Sequence, residues 1–152
     1  GSMDYTPVAF SDSTYPHQTT NCHELALSVI FESGFQHMAD KVSAYRDLPD
    51  APKEFLKKVP AAWDDTLLLN GRPGDFVVLA RRKGEVWCVA GINGRKNPLE
   101  IAMDYASLGL PPDGRATFIT DGADARSFAS SNERPERVNL MPCGGFVLRL
   151  EP

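Results

Sequence analysis

The sequence predicts a mainly β protein, an antiparallel β-sandwich of Greek-key type with about seven or eight strands, preceded by one long and one short α-helix. Three observations support this fold class. Apolar residues recur at three- and four-residue steps between residues 21 and 59, which is the period of a helix. Beyond residue 65 the chain changes to short apolar runs separated by turn clusters. No helical pattern lies between these runs, so the strands are expected to pair antiparallel and not in parallel βαβ units.

The first helix is predicted from Asn21 to about Ala39. Asn21 followed by Glu24 predicts an N-terminal capping box, and Gly34 is expected to weaken or bend the helix. Its apolar stripe comprises Cys22, Leu25, Ala26, Val29, Ile30, Phe35, Met38 and Ala39.

A second, shorter helix is predicted from Pro52 to Val59. Pro52 is expected at the first helical position, where its missing amide costs no hydrogen bond, and Pro60 is expected to end the helix. Phe55, Leu56 and Val59 would face inward.

The remainder of the chain predicts seven short strands. Lys83 and Gly84 stand between two apolar runs and predict a tight hairpin. The predicted strands are Thr66–Leu69, Phe76–Arg82, Glu85–Ile92, Leu99–Met103, Ala116–Thr120, Arg137–Leu140 and Gly145–Leu150.

The helical lead-in is not expected to form a domain of its own, because one good helix has no second layer against which to bury its apolar face. Either it packs on the sandwich, or it belongs to a larger domain whose remainder lies upstream. Residues 1–2 (Gly-Ser) are interpreted as a cloning scar, which would leave the native N-terminus and any signal peptide outside this sequence. The chain then divides into residues 3–60 and residues 61–152.

Composition argues against several classes of function. The net charge is -4 and the sequence pI is about 5.3, and no basic stripe interleaved with aromatics is present, so nucleic acid is not expected as a partner. No apolar run approaches the roughly 20 residues needed to cross a bilayer, so no membrane partner is expected. Cys22, Cys88 and Cys143 are widely scattered, which favours buried thiols over a disulfide framework or a metal knuckle.

Two acidic motifs are weak candidates for chemistry. His23-Glu24 begins like the zinc motif H-E-x-x-H, but Leu27 stands where the second histidine would be. Asp64 and Asp65 are adjacent, whereas a glycosidase needs two carboxyl groups roughly 5–10 Å apart across the sugar. A surface or interface histidine and a capping role for the acidic pair are the better interpretations.

Three further features admit both a functional and a structural interpretation. Residues 121–124 (Asp-Gly-Ala-Asp) could offer oxygen ligands to calcium, or could simply form a turn. Trp63, Trp87 and Tyr105 could make a sugar-stacking platform, or could pack in the core. Cys143 before a glycine pair could be a nucleophile on a tight turn, but no G-x-S-x-G-like context surrounds it.

Several stretches together resemble the carboxy-terminal end of glycoside hydrolase family 97 enzymes. Each is weak alone, but their order and spacing cover nearly the whole chain. They are residues 3–7 (MDYTP), Thr19-Thr20, residues 23–27 (HELAL), residues 31–33 (FES), Val59-Pro60, residues 63–66 (WDDT), residues 74–84 (GDFVVLARRKG), Trp87, residues 91–93 (GIN) and residues 144–146 (GGF).

The resemblance implies that residues 3–60 are the last strand and helix of a catalytic (β/α)₈ barrel and that residues 61–152 are the carboxy-terminal β-sandwich domain. Members of the family resemble α-glucosidases and α-galactosidases, with calcium at the active site, and their catalytic carboxylates would lie upstream of Met3. No catalytic residue and no cofactor is therefore expected in this chain. Asp4, Tyr5 and Thr6 would lie near the sugar pocket of the parent enzyme, which is expected to be a bacterial periplasmic or secreted protein.

The leading hypothesis is a non-catalytic domain that packs on its own upstream barrel and stabilises it, with Phe35 and Met38 contributing to that contact. The alternative is a carbohydrate-binding module that binds an α-linked saccharide on exposed, coplanar aromatic side chains. A third hypothesis is a self-contained enzyme that uses Cys143 or His23. Exposed apolar faces would also favour a homodimer.

Overall fold

A computed structural model describes residues 8–12, 16–109 and 114–152. It confirms the predicted fold class, since eight strands in antiparallel sheets follow a short helical segment. The elements are α1 (Asn21–Ile30), α2 (Val42–Arg46), α3 (Asp50–Lys58), β1 (Asp65–Arg72), β2 (Phe76–Lys83), β3 (Val86–Asn93), β4 (Leu99–Ala102), a 3-10 turn (Ala106–Leu108), β5 (Arg115–Asp121), β6 (Phe128–Ser131), β7 (Arg137–Leu140) and β8 (Gly145–Glu151).

A six-stranded sheet forms the centre of the molecule. Its strand order is β1-β2-β3-β8-β5-β6, and every neighbouring pair is antiparallel. The last strand, β8, lies between β3 and β5, so the chain returns to the middle of the sheet at its end. A second sheet consists of β4 and β7 alone.

The six-stranded sheet carries one apolar cluster on each face, as expected when successive side chains of a strand point to opposite sides. The helices cover one face, and β4, β7 and the 3-10 turn cover the other. Members of the first cluster include Leu25, Val29, Phe55, Cys88, Ala90, Ile119 and Val147. Members of the second include Val78, Val89, Ile101, Leu108, Val138, Leu140, Phe146 and Leu148.

Close packing explains a glycine in the middle of this sheet. Gly91 lies opposite Phe146 on β8, whose ring is fully buried. A Cβ atom at position 91 would overlap the edge of that ring. A side chain is therefore excluded where the ring needs the space.

The first helix begins at Asn21, as predicted, but its N-terminal cap and its C-terminal end differ from the prediction. Its N-cap is Thr20 and not Asn21, because the Thr20 hydroxyl accepts a hydrogen bond from the amide of His23 at 3.0 Å. The helix ends at Ile30, and the predicted continuation to Ala39 is wrong. Ser33 binds the backbone of Phe35 as both donor and acceptor. Such local side-chain bonds compete with helix formation, and Gly34 adds to the cost.

The remaining helices also correct the sequence-based boundaries. The short helix α2 was not predicted. Helix α3 begins at Asp50 and not at Pro52, so that Pro49 is its N-cap and Pro52 lies inside the first turn rather than at the first position. Because amides of the first turn have no partner within the helix, Pro52 is tolerated there as well.

All seven predicted strands are present, with ends shifted by at most three residues. The missed strand, β6, is the short polar segment Phe-Ala-Ser-Ser, whose composition lacks the apolar alternation on which the prediction depended. The predicted hairpin turn is displaced by one residue, since Gly84 and Glu85 form it and Gly84 has a positive φ of 60°.

None of the helices in the described ranges combines the length and the apolar character that crossing a membrane would require.

Candidate functional site

The carboxylate of Asp121 joins the first helix to the sheet. Asp121 ends β5 and is only 8% exposed. Its Oδ1 accepts a hydrogen bond from the Thr20 hydroxyl at 2.6 Å and one from the Gly145 amide at 3.3 Å. Its Oδ2 accepts a third bond from the Met141 amide at 3.0 Å. These three donors hold the carboxylate as a cross-link between α1, β5 and the segment that precedes β8.

This geometry decides between the two interpretations of residues 121–124. Both oxygens of Asp121 are already occupied by protein donors, whereas a calcium site needs oxygen ligands that point at a common centre. Asp124 instead accepts a hydrogen bond from the Arg126 amide at 2.8 Å within the exposed turn. Residues 121–124 therefore form a structural turn, which the buried Asp121 carboxylate holds in place.

The glycine pair at the start of β8 leaves the space that the closely approaching helix α1 needs. A Cβ atom at Gly144 would overlap the Asp121 carboxylate, and one at Gly145 would lie 2.6 Å from the Cα atom of His23. Cys143 has a positive φ of 52° and its carbonyl accepts a hydrogen bond from the Thr20 amide at 3.0 Å. The Cys143 turn therefore positions the helix, which is a structural role.

Cys22 and Cys88 are buried thiols, as the sequence predicts, whereas Cys143 is only partly buried and the prediction is wrong for it. Burial raises the pKa of Cys22 well above its ordinary value and that of Cys88 to about 11. A thiol with a raised pKa carries little thiolate, the nucleophilic form, at neutral pH.

His23 is buried in the junction and is not a surface residue. Its Nδ1 donates to the carbonyl oxygen of Gly144 at 3.2 Å. Burial is the main influence on its pKa and lowers it, although the negative charges of Glu24 and Asp121 act in the opposite direction. The ring is therefore held neutral where the helix meets the sheet.

A second anchor, which sequence reasoning missed, holds the segment before the helix. The Arg126 guanidinium forms two hydrogen bonds with the Asp12 carboxylate, at 2.6 and 3.2 Å. It also donates to the carbonyl oxygens of His17 and Thr19, at 2.8 and 2.7 Å. The Arg126 hydrogen bond lowers the pKa of Asp12. A lone arginine in a polar turn carries no pattern from which this contact could be predicted.

The acidic pair lies at the start of β1 and has the capping role that the sequence favoured. Asp64 accepts hydrogen bonds from the Lys83 ammonium at 2.7 Å and the Gly84 amide at 2.8 Å. The bond with Lys83 is the main reason that the pKa of Asp64 is lowered. Asp65 lies 3.7 Å from Arg82. Both carboxylates thus belong to the β2–β3 hairpin.

The three aromatic side chains do not form a platform. Trp87 is buried in the sheet core at 6% exposure, and Trp63 packs against the helix-side cluster with Arg81 beside its ring. Tyr105 donates its hydroxyl to the Pro135 carbonyl at 2.8 Å, and burial raises its pKa to about 12. A carbohydrate-binding module with stacked aromatics is therefore not favoured.

Asp4, Tyr5 and Thr6 lie outside the described residues, so their role stays a prediction. In the described part of the chain, no three His, Cys, Asp or Glu side chains lie close enough together to hold a metal ion.

Two apolar recesses open on the surface. The edge recess, of about 430 Å³, lies at the end of the β1–β2 hairpin. The helix recess, of about 420 Å³, lies between α2 and α3. Large apolar side chains remain exposed at both, Leu68 by 66% at the first and Val42 by 72% at the second. Contiguous exposed apolar surface is typical of protein interaction sites, which makes both recesses candidates for contact with a partner.

Comparison with known proteins identifies the chain. Residues 62–151 match the family described as glycosyl-hydrolase 97 C-terminal, oligomerisation. The chain belongs to glycoside hydrolase family 97. A retaining alpha-galactosidase of Bacteroides thetaiotaomicron is 35% identical over 99% of this chain and 25% of its own length. A probable retaining alpha-galactosidase of Streptomyces bingchenggensis is 47% identical over 70% of this chain and 17% of its own length.

Solved structures agree with the assignment to family 97. A family 97 enzyme from a Pseudoalteromonas species superposes with a TM-score of 0.82 and 27% identity, over 99% of this chain and 26% of that one. The chain therefore spans about a quarter or less of the length of the relatives that it matches. It is the carboxy-terminal, non-catalytic part of a family 97 enzyme, as the sequence predicted.

We expect removal of the Asp121 carboxylate to destabilise the fold strongly. Asp121→Ala would leave three buried donors without an acceptor, which should lower the free energy of unfolding by about 3 kcal/mol. Thr20→Val removes the helix cap and should cost about 1 kcal/mol on that account alone. Urea denaturation of both variants and of the double variant gives the coupling energy, which should be about 1 kcal/mol or more.

The control for this experiment is Asp124→Ala in the same turn. Asp124 is exposed, so its loss should cost less than about 1 kcal/mol. Additive effects of Thr20→Val and Asp121→Ala would contradict the proposed cross-link.

Acidification should destabilise the domain through His23. Since the folded protein lowers the pKa of His23, the unfolded chain takes up a proton more readily. The stability that the neutral ring contributes is complete above the ordinary histidine pKa of about 6.5 and is lost as the pH falls through it. Urea denaturation between about pH 7.5 and about pH 5.5 should show this loss, and His23→Gln should reduce the slope. An unchanged slope in the variant would refute this role for His23, and His37→Gln is the control because His37 is exposed.

Proposed function

We propose that this chain is the carboxy-terminal unit of an enzyme that hydrolyses α-galactosidic bonds with retention of configuration, and that the unit packs on the enzyme's own catalytic barrel. The observation that carries the substrate class is the similarity to two curated relatives, both named as retaining alpha-galactosidases, at 35% and 47% identity. The α-glucosidic bond is the alternative from the sequence, and neither of these two relatives is named for it.

The chemistry of this reaction lies in the part of the parent enzyme that the chain does not span. A retaining glycosidase needs two carboxyl groups roughly 5 Å apart, one as the nucleophile and one as the acid and base. In the described residues, Asp121 is engaged in the junction, Asp64 in the hairpin and Asp12 with Arg126. The catalytic pair, and the calcium ion expected with it, are proposed for the upstream barrel, with Asp4, Tyr5 and Thr6 near its sugar pocket.

The helix recess supports the packing role. Met38, Val42, Leu48 and Leu56 line it and Arg46, Lys53 and Lys57 surround it, so it offers an apolar centre with a basic rim. Phe35 is 70% exposed and Met38 40% exposed in the preceding segment. Covering such residues stabilises a contact by about 25 cal/mol per Å² of apolar area removed from water. The remainder of the parent polypeptide is the partner that we propose for this surface.

The isolated chain should not hydrolyse aryl α-galactosides or aryl α-glucosides, because the catalytic carboxylates are proposed for the upstream barrel. The full-length parent should release the aryl group from the α-galactoside faster than from the α-glucoside. Absorbance of the released phenol measures both. Turnover by the isolated chain that survives repurification would contradict the non-catalytic role, and a preference of the parent for the glucoside would contradict the substrate class.

We also propose that the chain associates with a second copy of itself. The family description of the matched residues names oligomerisation, and exposed apolar side chains remain on the domain surface. Sedimentation velocity of the isolated chain should show a dimer that dissociates on dilution. A monomer at every concentration would refute this proposal and would leave the proposed hydrolytic function of the parent unaffected.

A further inference from the structure

We propose that strand β1 and the edge recess beside it form the surface through which two copies of this chain associate, with the two β1 strands side by side and antiparallel. The inference rests on the proposed self-association and assigns it to a defined surface.

The first argument is that β1 is an open edge. It is the outer strand of the six-stranded sheet, it is eight residues long, and in the described residues no strand pairs with its outer side. The opposite edge, β6, has only four residues, and three of them are Ala or Ser. A long apolar edge strand is a template for pairing with another chain, whereas a short polar edge is protected from it.

The second argument is the apolar surface beside this edge. Leu68, at the centre of β1, lies opposite Leu79 of β2 and is 66% exposed. Helix α1 packs mainly on β3 and β8, and so leaves this end of the sheet uncovered. The apolar side chains that line the edge recess are Leu68, Pro73, Phe76, Val77 and Ile92, and three glycines, Arg72 and Asp75 complete its lining. The exposed Leu68 side chain therefore lies next to the edge recess, whose apolar lining suits another leucine.

The third argument is that this edge is complementary to itself. A two-fold axis at Leu68 places the two Leu68 side chains together and gives each access to the recess of the other copy. The antiparallel direction brings Asp65, at the start of one β1, towards Arg72, near the end of the other. Their side chains are 48% and 74% exposed, respectively, and each lies only loosely beside an opposite charge of its own chain, Asp65 at 3.7 Å from Arg82 and Arg72 at 3.8 Å from Asp75. An interface of this kind is closed and yields a dimer rather than a fibre.

A bulge refines the geometry. The pairing of β1 with β2 shifts between Leu68 and Asn70, and a bulge bends an edge strand and interrupts its ladder. The edge therefore does not favour a continuous sheet of twelve strands across the two copies. The contact is centred on Leu68 and the two recesses, and the bulge interrupts the backbone ladder between the two copies on each side of that centre.

The helix recess is less suited to a second copy. Arg46 and Lys53 at its rim would meet the same two cations in a two-fold contact, and like charges oppose such an interface, whereas Lys57 is already paired with Glu54 at 2.6 Å. The helix recess also lies outside residues 62–151, the segment whose family description names oligomerisation, whereas every residue that lines the edge recess lies inside it. The two surfaces thus have different partners.

Two matched substitutions test this assignment. Leu68→Lys should weaken dimerisation at least tenfold in sedimentation velocity, because it places two cations at the centre of the contact. Val42→Lys, at a residue of similar exposure in the helix recess, should leave the dimer unchanged. Both positions are exposed, so thermal unfolding should show that both variants remain folded.

The antiparallel direction has its own test. Asp65→Arg and Arg72→Asp should each weaken the dimer, and the double variant should restore it, because the exchange of charges recreates the attraction across the two-fold axis. A wild-type dimer that Leu68→Lys leaves intact, or that Val42→Lys weakens instead, would overturn the assignment. Failure of the double variant to recover would overturn the antiparallel arrangement. A wild-type monomer would instead refute the self-association on which the assignment rests.

Discussion

The position of the helical layer depends on one buried carboxylate. Asp121 accepts hydrogen bonds from the Thr20 hydroxyl, which also caps α1, and from two amides beside β8. A buried carboxylate is costly unless its oxygens are hydrogen-bonded. The same bonds that meet this requirement determine where the helix begins and which strands it crosses. The link therefore joins residue 20 to residues 121 and 141–145, and residue 121 lies 101 positions further along the chain than residue 20.

The glycines and the histidine of the junction follow from that constraint. Because the first turn of α1 lies directly on the segment before β8, Gly144 and Gly145 have no room for a side chain. His23 is enclosed by the same contact and stays neutral. Features that resemble catalytic motifs in the sequence, a histidine beside a glutamate and a cysteine before two glycines, are here consequences of close packing between a helix and a sheet.

Local patterns predicted most of the fold, and long-range contacts account for what they missed. The seven strands could be predicted because apolar alternation and turn residues are patterns of neighbouring positions in the sequence. The predicted end of α1 was wrong because Ser33 and Gln36 bind backbone groups near the helix end. Such side-chain bonds compete with the hydrogen bonds of the helix, and apolar periodicity gives no sign of them. The roles of Thr20, Asp121 and Arg126 depend on partners about 100 residues away, and no spacing rule brings such residues together. The apolar neighbours of Trp87 in the sequence suggested a core position for this side chain. Only the structure shows that it is buried and therefore does not stack on a sugar.

The helices cover one face of the six-stranded sheet only in part, and this leaves apolar surface exposed on the domain. One face is covered along β3 and β8 by α1, but a single ten-residue helix is too short to cover six strands, since it extends only about 15 Å. The uncovered part falls at β1, where Leu68 is exposed, and the helical layer keeps its own open recess at α2 and α3. Charge then distinguishes the partners of the two surfaces. Opposite charges at the two ends of β1 attract the same surface of a second copy, whereas the basic rim of the helix recess repels an identical rim. In the proposed arrangement, the helix recess contacts the catalytic unit on one side of the domain and β1 contacts a second copy on the other.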